Sequence, residues 1–368
     1  MGEPTTYVGI DAHKRELHVA MLVGDASAVV SWVVPATDSG VAQLRRTLER
    51  AAPGPIVCCY EAGPGGYALQ RRLDGGRVQC QVIAPALIPR KPGDRVKTNR
   101  RDARQLVVLL RAHLLTPVHV PTEADEAVRD LCRARDDARR DLMRARHRLS
   151  KFLLRRGRLY EGTAWTKAHA AWLQHLGWSH PADGHVVTDY RAAVDYGETR
   201  LRALDALLGE VAAEPRYAAA VAALRCFRGI DTGTAVMLLA ELHDPQRFPH
   251  PRALMAFTGL VPSEASTGDA HRRGPITKTG NTQLRRLLIE AAWHYRHEPR
   301  PSPRLRARRA GQPIAVTTIA LRAEQRLCRR YRRLCARLKP PPLVVTAVAR
   351  ELVGFLWAVL HVPPVPAR

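Results

Sequence analysis

Several kinds of motif are missing from this sequence. Its seven scattered cysteines form no Cys-x-x-Cys pair and no cysteine–histidine metal spacing, so we expect reduced thiols and no disulfide framework. Asp11 and Lys14 stand where the apolar stretch of a secretory signal would lie. The most apolar C-terminal run, Leu352 to Val362, is too short to span a bilayer. We therefore expect a soluble, cytoplasmic protein without a membrane partner.

Acidic residues are also scarce. The 34 Asp and Glu residues stand against 58 Lys and Arg residues, which leaves a formal net charge of +24. Such an excess repels itself in the compact state and suggests a polyanionic partner. Nucleic acid is the natural candidate, because each phosphate contact releases counterions. The 368 residues, 46% of them hydrophobic, suffice for two or three domains with their own cores.

The N-terminal third has the pattern of a mixed α/β sheet. Its apolar residues predict three strands within residues 6–34, a helix over 41–51, strands over 55–60 and 78–83, and a helix over 102–115. A further short helix is expected before the last strand. Asp11 and Glu61 lie at or near strand ends in this scheme. We predict one α/β domain over residues 1–118.

Residues 119–221 have a different pattern, which is typical of long helices. From Val128 to Phe152 the apolar residues recur at steps of three, four or seven, interrupted by Arg135. Leu201 to Ala223 is a candidate for the second arm of a coiled-coil-like hairpin. Two interpretations stay open at this point, a hairpin that packs only against itself and an oligomerisation arm.

Residues 222–368 are predicted to form a mainly helical third domain. The segment Phe227 to Ala235 resembles a helix-hairpin-helix turn that approaches a phosphate, and an ordinary glycine turn fits it equally well. A loop over Pro262–Lys278 and a basic helix from Thr282 follow. Between Arg296 and Lys339 there are fourteen Lys and Arg residues against two Glu, which favours a nucleic-acid surface over a merely solvated one.

Three carboxylates are candidates for a metal centre. Asp11 on the first strand, Glu61 after a neighbouring strand and Asp102 at a helix start can meet over one sheet edge. Phosphodiester chemistry with two metals needs such convergence, and Mg²⁺ prefers hard oxygen ligands. Taken singly, Asp11 fits a turn cap, Glu61 fits an arginine partner and Asp102 fits a helix N-cap. Their combination in a strongly basic chain favours the metal site.

The motifs around these residues resemble those of a known family. Gly9-Ile10-Asp11-Ala12-His13-Lys14, Tyr60-Glu61-Ala62-Gly63-Pro64-Gly65 and Lys97-Thr98-Asn99-Arg100-Arg101-Asp102-Ala103 are similar to the acidic motifs of the DEDD insertion-sequence transposases, the IS110 family. Gly259 to Gly268, Ile276 to Asn281 and Ala347 to Leu352 resemble the C-terminal transposase domain of that family. The similarity covers roughly residues 5–115 and 222–358, with the motifs in the same order.

The resemblance implies a DNA recombinase with a RuvC/RNase H-like N-terminal domain. It implies Mg²⁺ (or Mn²⁺) on the carboxylates, donor and target DNA as substrates, and an element-encoded guide RNA that pairs with both. A homo-oligomer, dimer or tetramer, would join the metal domain of one subunit to a serine loop of another, and the serine would attack a phosphodiester.

The chain departs from the family pattern at one position and leaves a second assignment open. Asn99 stands where the family commonly has an Asp, so this ligand supplies an oxygen without charge. The loop offers Ser263, Ser266 and Thr267, of which Ser266 is preferred for its Ser-Thr-Gly context and Thr267 is the alternative. The expected nucleic-acid contacts are Lys14, Lys97, Arg100, Arg101, Arg272, Arg273, Lys278 and Arg285.

Two other functions fit parts of the sequence. A structure-specific nuclease such as a junction resolvase would use the first domain but would leave residues 222–358 without a role. A decayed transposase that still binds nucleic acid would explain Asn99, although Asp11, Glu61, Asp102 and Lys97 are intact.

Overall fold

The computed structural model describes residues 3–89, 98–267 and 270–363, without the side chains of residues 266, 270 and 271. Within it the chain forms two compact units, Met1–Pro121 and Thr122–Arg368. The division into three domains expected from the sequence is finer than this one and stays a prediction.

The first unit is built on a five-stranded mixed sheet with the order β3-β2-β1-β4-β5. Strands β1 to β3 are antiparallel, whereas β4 and β5 run parallel to β1. Its elements in chain order are β1 (Thr6–Ala12), β2 (Glu16–Val23), β3 (Val30–Pro35), α1 (Asp38–Ala51), β4 (Ile56–Glu61), α2 (Ala68–Leu73), β5 (Val78–Ile83) and α3 (Asn99–Arg111). The mixed α/β class of this unit is confirmed.

Helices cover both faces of this sheet because successive strand residues point to opposite sides. Val8 and Ile10 of β1 are buried in the cluster that contains Leu44 and Leu48 of α1. On the other face, Ala20 and Leu22 of β2 pack with Ala103 and Val107 of α3, and Cys59 packs with Leu106 and Leu110. Each of these helices shows the sheet one apolar stripe.

Helix α3 starts earlier than the sequence predicted. Thr98 is its N-cap, and the Thr98 hydroxyl accepts a hydrogen bond from the Arg101 amide. The helix therefore begins at Asn99 and not at Asp102, and it ends at Arg111 and not at residue 115. Asp102 lies in the first turn, where a carboxylate is favourable beside the helix dipole.

The second unit is mainly helical. Its elements are α4 (Glu123–Arg155), α5 (Lys167–Gln174), α6 (Pro181–Ala213), α7 (Pro215–Leu224), α8 (Thr232–Leu242), α9 (Pro251–Phe257), β6 (Pro262–Thr267), β7 (Ala270–Ile276), α10 (Thr282–Ala292), α11 (Pro303–Arg309), α12 (Ile314–Ala336) and α13 (Pro341–Leu360).

The two 33-residue helices α4 and α6 pack against each other as the expected helical hairpin. Arg135, which interrupts the apolar seam, forms an ion pair of 2.8 Å with Asp205 of α6. The second arm was predicted over Leu201–Ala223, but α6 begins 20 residues earlier, at Pro181. It ends at Ala213 because Pro215 starts a new helix.

The core of this unit surrounds α8, in which every residue from Ala235 to Leu242 is buried. Helix α13 packs here as well, and its Val345, Val348 and Leu352 are fully buried. At 20 residues and a mean hydropathy of 1.9, α13 is long and apolar enough to cross a membrane by length and composition. The apolar run is thus longer than the sequence suggested, and its buried side belongs to a protein core.

The segment Pro262–Lys278, predicted as a loop, contains a β-hairpin. Strands β6 and β7 are antiparallel, with Glu264 opposite Arg273 and Thr267 opposite Ala270. The loop prediction was wrong because Pro262 and Gly274 suggest turns when read locally, whereas the strands are stabilised by pairing with each other.

Candidate active site

Asp11 and Glu61 lie at the same edge of the sheet. The parallel pairing of β1 with β4 ends at Ile10 and Tyr60, and the two acidic residues follow directly. The Asp11 side chain is 19% exposed, and Glu61 is exposed at the strand end. Because paired residues of parallel strands share a face, the two carboxylates extend from the same face of the sheet.

A close approach of α3 to β1 brings the helix to that face. A Cβ atom placed on Gly9 would lie 2.4 Å from the Ala103 carbonyl oxygen and 2.5 Å from the Val107 amide nitrogen. Only glycine permits this backbone contact. Gly9 and Asp11 are two residues apart on one strand, so Asp11 points to the side of the sheet that α3 covers.

The N-terminal end of α3 lies at the same sheet edge as Asp11. The Asn99 side-chain amide nitrogen is 3.3 Å from Nε2 of His18, and His18 is the β2 residue paired with Asp11. Asn99 and Asp102 are both partly buried in the first turn of α3. The four residues proposed from the sequence therefore belong to one face and one edge of the first unit.

Two histidines join this arrangement and were not among the predicted site residues. Nε2 of His13 is 3.0 Å from Oδ2 of Asp11, and Nε2 of His18 is 3.0 Å from Oε1 of Glu16. The two imidazole rings meet edge to face at 6.0 Å. The alternation of Asp11 with His13, and the position of His18 in the next strand, are the signals by which the sequence could have indicated them.

The oxygen atoms of Asp11, Glu61, Asp102 and Asn99 are of the kind that binds a hard divalent cation, but they are not arranged around a common point. Three carboxylates and an amide oxygen are the ligands that Mg²⁺ prefers. No group of three or more His, Cys, Asp or Glu residues stands in a metal-holding arrangement within residues 3–89, 98–267 and 270–363. Asp11 is engaged by His13. Metal binding at this edge would therefore require the carboxylates to move closer together.

The basic residues predicted for this region are distributed around the acidic edge. Lys14 is exposed in the turn between β1 and β2, and Arg100 and Arg101 are exposed in the first turn of α3. Lys97 lies outside the described residues.

The hairpin of the second unit holds the predicted nucleophiles. Ser266 and Thr267 are the last two residues of β6, and the Ser266 backbone is paired with His271. Thr267 is exposed, and the Ser266 side chain is not among the side chains that the structure describes. Ser263 has a structural role, since its hydroxyl donates a hydrogen bond of 3.0 Å to the Pro275 carbonyl across the hairpin.

The basic residues of the hairpin differ in their environment. Arg272 and Arg273 of β7 and Lys278 are exposed. Arg285 instead donates hydrogen bonds to the Thr258 carbonyl at 3.0 Å and to the Thr282 hydroxyl at 3.2 Å. The contacts of Arg285 thus stabilise the segment that precedes the hairpin, and its role in nucleic-acid binding stays a prediction.

The base of the hairpin is fixed by a buried carboxylate that the sequence analysis did not single out. Glu241 of α8 is 5% exposed and accepts hydrogen bonds from the Asn281 amide at 2.7 Å and from Arg133 at 3.1 Å. Asn281 also caps α10 and donates its backbone amide to the Phe257 carbonyl. A single acid within the apolar run of α8 was the available signal, because a buried charge needs partners.

Comparison with known protein families identifies the class of protein to which this chain belongs. A family model described as "Transposase" matches residues 8–156, and one described as "Transposase IS116/IS110/IS902 family" matches residues 221–307. These two segments contain the acidic edge and the hairpin, respectively. The class is therefore that of the insertion-sequence transposases.

Full-length relatives agree. The chain is 42% identical over 358 residues to the protein y4qE of Sinorhizobium fredii, which carries the name of a transposase, with 96% of this chain and 88% of the relative covered. It is 35% identical over 334 residues to the transposase for insertion sequence element IS1533 of Leptospira borgpetersenii, covering 89% and 96%. The chain belongs to the IS110 family of insertion-sequence transposases.

Proposed function

We propose that the chain cleaves and exchanges DNA strands by RNA-guided transposition, with a divalent metal on the acidic edge of the first unit and a hydroxyl nucleophile from the hairpin. The observation that supports this most directly is the position of Asp11 and Glu61 on one face of adjacent strand ends, beside the first turn of α3. We also propose a RuvC/RNase H-like fold for the first unit, a cytoplasmic bacterial location and no membrane partner.

In this proposal Asp11, Glu61 and Asp102 hold Mg²⁺ (or Mn²⁺), with Asn99 as a fourth, neutral ligand. The bound ion would polarise the phosphodiester and stabilise the charge that develops on its oxygens. His13 would orient Asp11 through one carboxylate oxygen while the other oxygen binds the ion. Lys14, Arg100, Arg101 and Lys97 would neutralise nearby phosphates.

The nucleophile would be Ser266, with Thr267 as the alternative. Its oxygen forms a bond to phosphorus while one bridging P–O bond breaks, which leaves a phosphoester-linked protein and a free hydroxyl end on the DNA. Attack by a hydroxyl of another strand then reverses the step and completes the exchange. Arg272 and Arg273 of β7 and Lys278 after it are exposed and would bind the same phosphate.

An element-encoded RNA would select the donor and target DNA by base pairing. The net charge of +24 supports binding to both kinds of nucleic acid. We further propose that the chain works as a homo-oligomer, dimer or tetramer, in which the acidic edge of one copy serves the hairpin of another. The helical hairpin α4–α6 would be the oligomerisation arm.

Covalent adducts on denaturing gels test the nucleophile. With a supercoiled donor, its RNA and Mg²⁺, the parent chain should give a protein–DNA adduct that Ser266→Ala lacks. Ser263→Ala is the matched control, because it removes a hydroxyl that serves the hairpin stem, and it should keep the adduct. If Ser266→Ala retained the adduct and Thr267→Ala abolished it, Thr267 would be the nucleophile. An adduct in a variant that lacks the Ser263, Ser266 and Thr267 hydroxyls together would refute hydroxyl attack from this hairpin.

Mixing experiments test the composite site. Asp11→Asn and Ser266→Ala should each be inactive alone, and an equimolar mixture should regain part of the strand exchange if the two residues act from different copies. A mixture as inactive as its components, although the copies co-assemble, would contradict the composite site. Sequencing of RNA that copurifies with the chain tests the guide, which should match DNA flanking the gene.

A further inference from the structure

Helix α12 carries a row of arginines on one face. Arg322, Arg326, Arg329 and Arg333 follow at steps of four, three and four, so they form one stripe about 16 Å long. All four side chains are exposed. Like charges at these spacings repel one another and destabilise the helix. Such a stripe persists most readily where an anionic partner neutralises it.

Most of this charge is not neutralised within the chain. Arg322, Arg329 and Arg333 form no ion pair or side-chain hydrogen bond with any residue that the structure describes. Glu351 of α13 is the acid in this region, and it pairs with Arg326 at 3.0 Å and with Arg330 at 2.9 Å. Of the five arginines in this region, only Arg326 and Arg330 thus pair with a carboxylate among the described residues.

The stripe lines an open groove of about 550 Å³ between α12 and α13. Besides the arginines, Gln325, Glu351 and Phe355 line it. Phe355 is partly buried and packs against the core of the second unit. The groove therefore combines a row of cations with one aromatic ring and one amide.

We propose that this groove binds a single strand of nucleic acid, with its phosphates on the arginine stripe and an unpaired base stacked on Phe355. Aromatic rings stack on bases of any sequence, and a paired base within a duplex does not offer its face. A flat lipid surface would match neither the concavity nor the amide of Gln325. Phosphates and base faces are common to RNA and DNA, so the site should accept single strands of either. This inference is independent of the proposed strand-exchange chemistry.

Fluorescence anisotropy with the full chain tests the site. Short RNA and DNA single strands of one mixed sequence and the matching DNA duplex should be titrated at several salt concentrations. Replacement of Arg322, Arg329 and Arg333 by Ala should reduce the slope of log affinity against log salt by about 2, which corresponds to three phosphate contacts on a single strand. The control replaces the exposed Arg46, Arg50 and Arg202 by Ala, with the same loss of charge. An equal change in slope for the control would overturn the proposal.

Glu351→Gln is expected to strengthen binding, a result that misfolding of the variant would not produce. Release of Arg326 and Arg330 should strengthen single-strand binding and steepen the salt slope by about 0.7 for each arginine that gains a phosphate. Unchanged or weaker binding by a folded Glu351→Gln variant would contradict the site.

Phe355→Leu tests stacking while it preserves an apolar side chain against the core. Single-strand affinity should fall about 5- to 150-fold, the range for one stacked base, with little effect on the duplex. Ultraviolet crosslinking of a single strand should label the peptide that contains Phe355. Single-strand binding that neither Phe355→Leu nor the triple arginine variant weakens, or a crosslink pattern without this peptide, would refute the proposal.

Discussion

Replacement of Gly9 by Ala tests whether the approach of α3 to β1 sets the geometry of the acidic edge. The new Cβ would stand 2.4 Å from the Ala103 carbonyl oxygen, whereas ordinary van der Waals contact begins at 3.4 Å. Both atoms belong to rigid elements, so a side chain cannot move aside to relieve the clash. The helix must therefore retreat by about 1 Å, the difference between these two distances.

The displacement has a stability effect and a larger catalytic one. Overpacking of this kind lowers the free energy of unfolding by about 1–3 kcal/mol. Asp102 precedes Ala103 directly, so it would move away from Asp11 by a similar distance. Misplacement of a catalytic group by about 1 Å can cost about 100-fold in rate. We expect Gly9→Ala to fold with a lower melting temperature and to cleave DNA about 100-fold more slowly.

Thermal melting and a supercoiled-plasmid nicking assay in Mg²⁺ measure the two effects. Gly177→Ala is the matched control, because a Cβ at Gly177 would meet nothing within 4 Å, and both its rate and its melting temperature should stay close to the parent values. A folded Gly9→Ala variant that cleaves at the parent rate would show that the position of α3 does not govern the site.

Three further predictions concern single acidic or amide positions. Asn99→Asp adds a carboxylate beside the others, so the Mg²⁺ concentration that half-saturates cleavage should fall, as a metal titration would measure. Glu241→Ala removes the acceptor of Asn281 and should cost about 2–3 kcal/mol of unfolding free energy in thermal melts, since bonds to a buried charge are strong. Burial alone would raise the pKa of Asp136, but the hydrogen bond from Arg140 and the charges of Arg286, Arg140 and Arg139 lower it. The stability from Asp136 should thus be complete above its unfolded-state pKa and be lost as the pH falls through the lower folded-state pKa.

Further variants accompany the predictions for Glu241 and Asp136. Asn281→Asp should weaken the contact with Glu241 by like-charge repulsion, whereas Glu210→Ala on the exposed side of α6 should leave the melting temperature unchanged. Asp136→Asn should melt at a temperature that depends less on acid pH than that of the parent. A weaker metal response in Asn99→Asp, or an acid profile in Asp136→Asn identical to the parent's, would contradict the respective argument.

Much of the first unit could be predicted from local patterns. The strands carry valine-rich and alternating runs, and α1 and α3 carry apolar residues at helical spacing, so the order of elements followed from periodicity. The ends of helices were less predictable. Thr98 caps α3, so the helix begins three residues before the expected start, and Pro215 breaks a run that looked continuous. The residues at which a helix starts and ends depend on single capping or helix-breaking residues, and the periodicity of apolar residues does not reveal these.

The sequence by itself determined the basic character of the chain, the order of its sheet elements and the acidic motifs, because these depend on residue type and short-range spacing. Only the tertiary structure decided which residues meet. The contact of Gly9 with α3, the approach of Asn99 to His18 and the anchoring of the hairpin by Glu241 all join positions far apart in the chain. Such contacts are set by the packing of whole elements, where one side chain finds its partner only after strands and helices have taken their places.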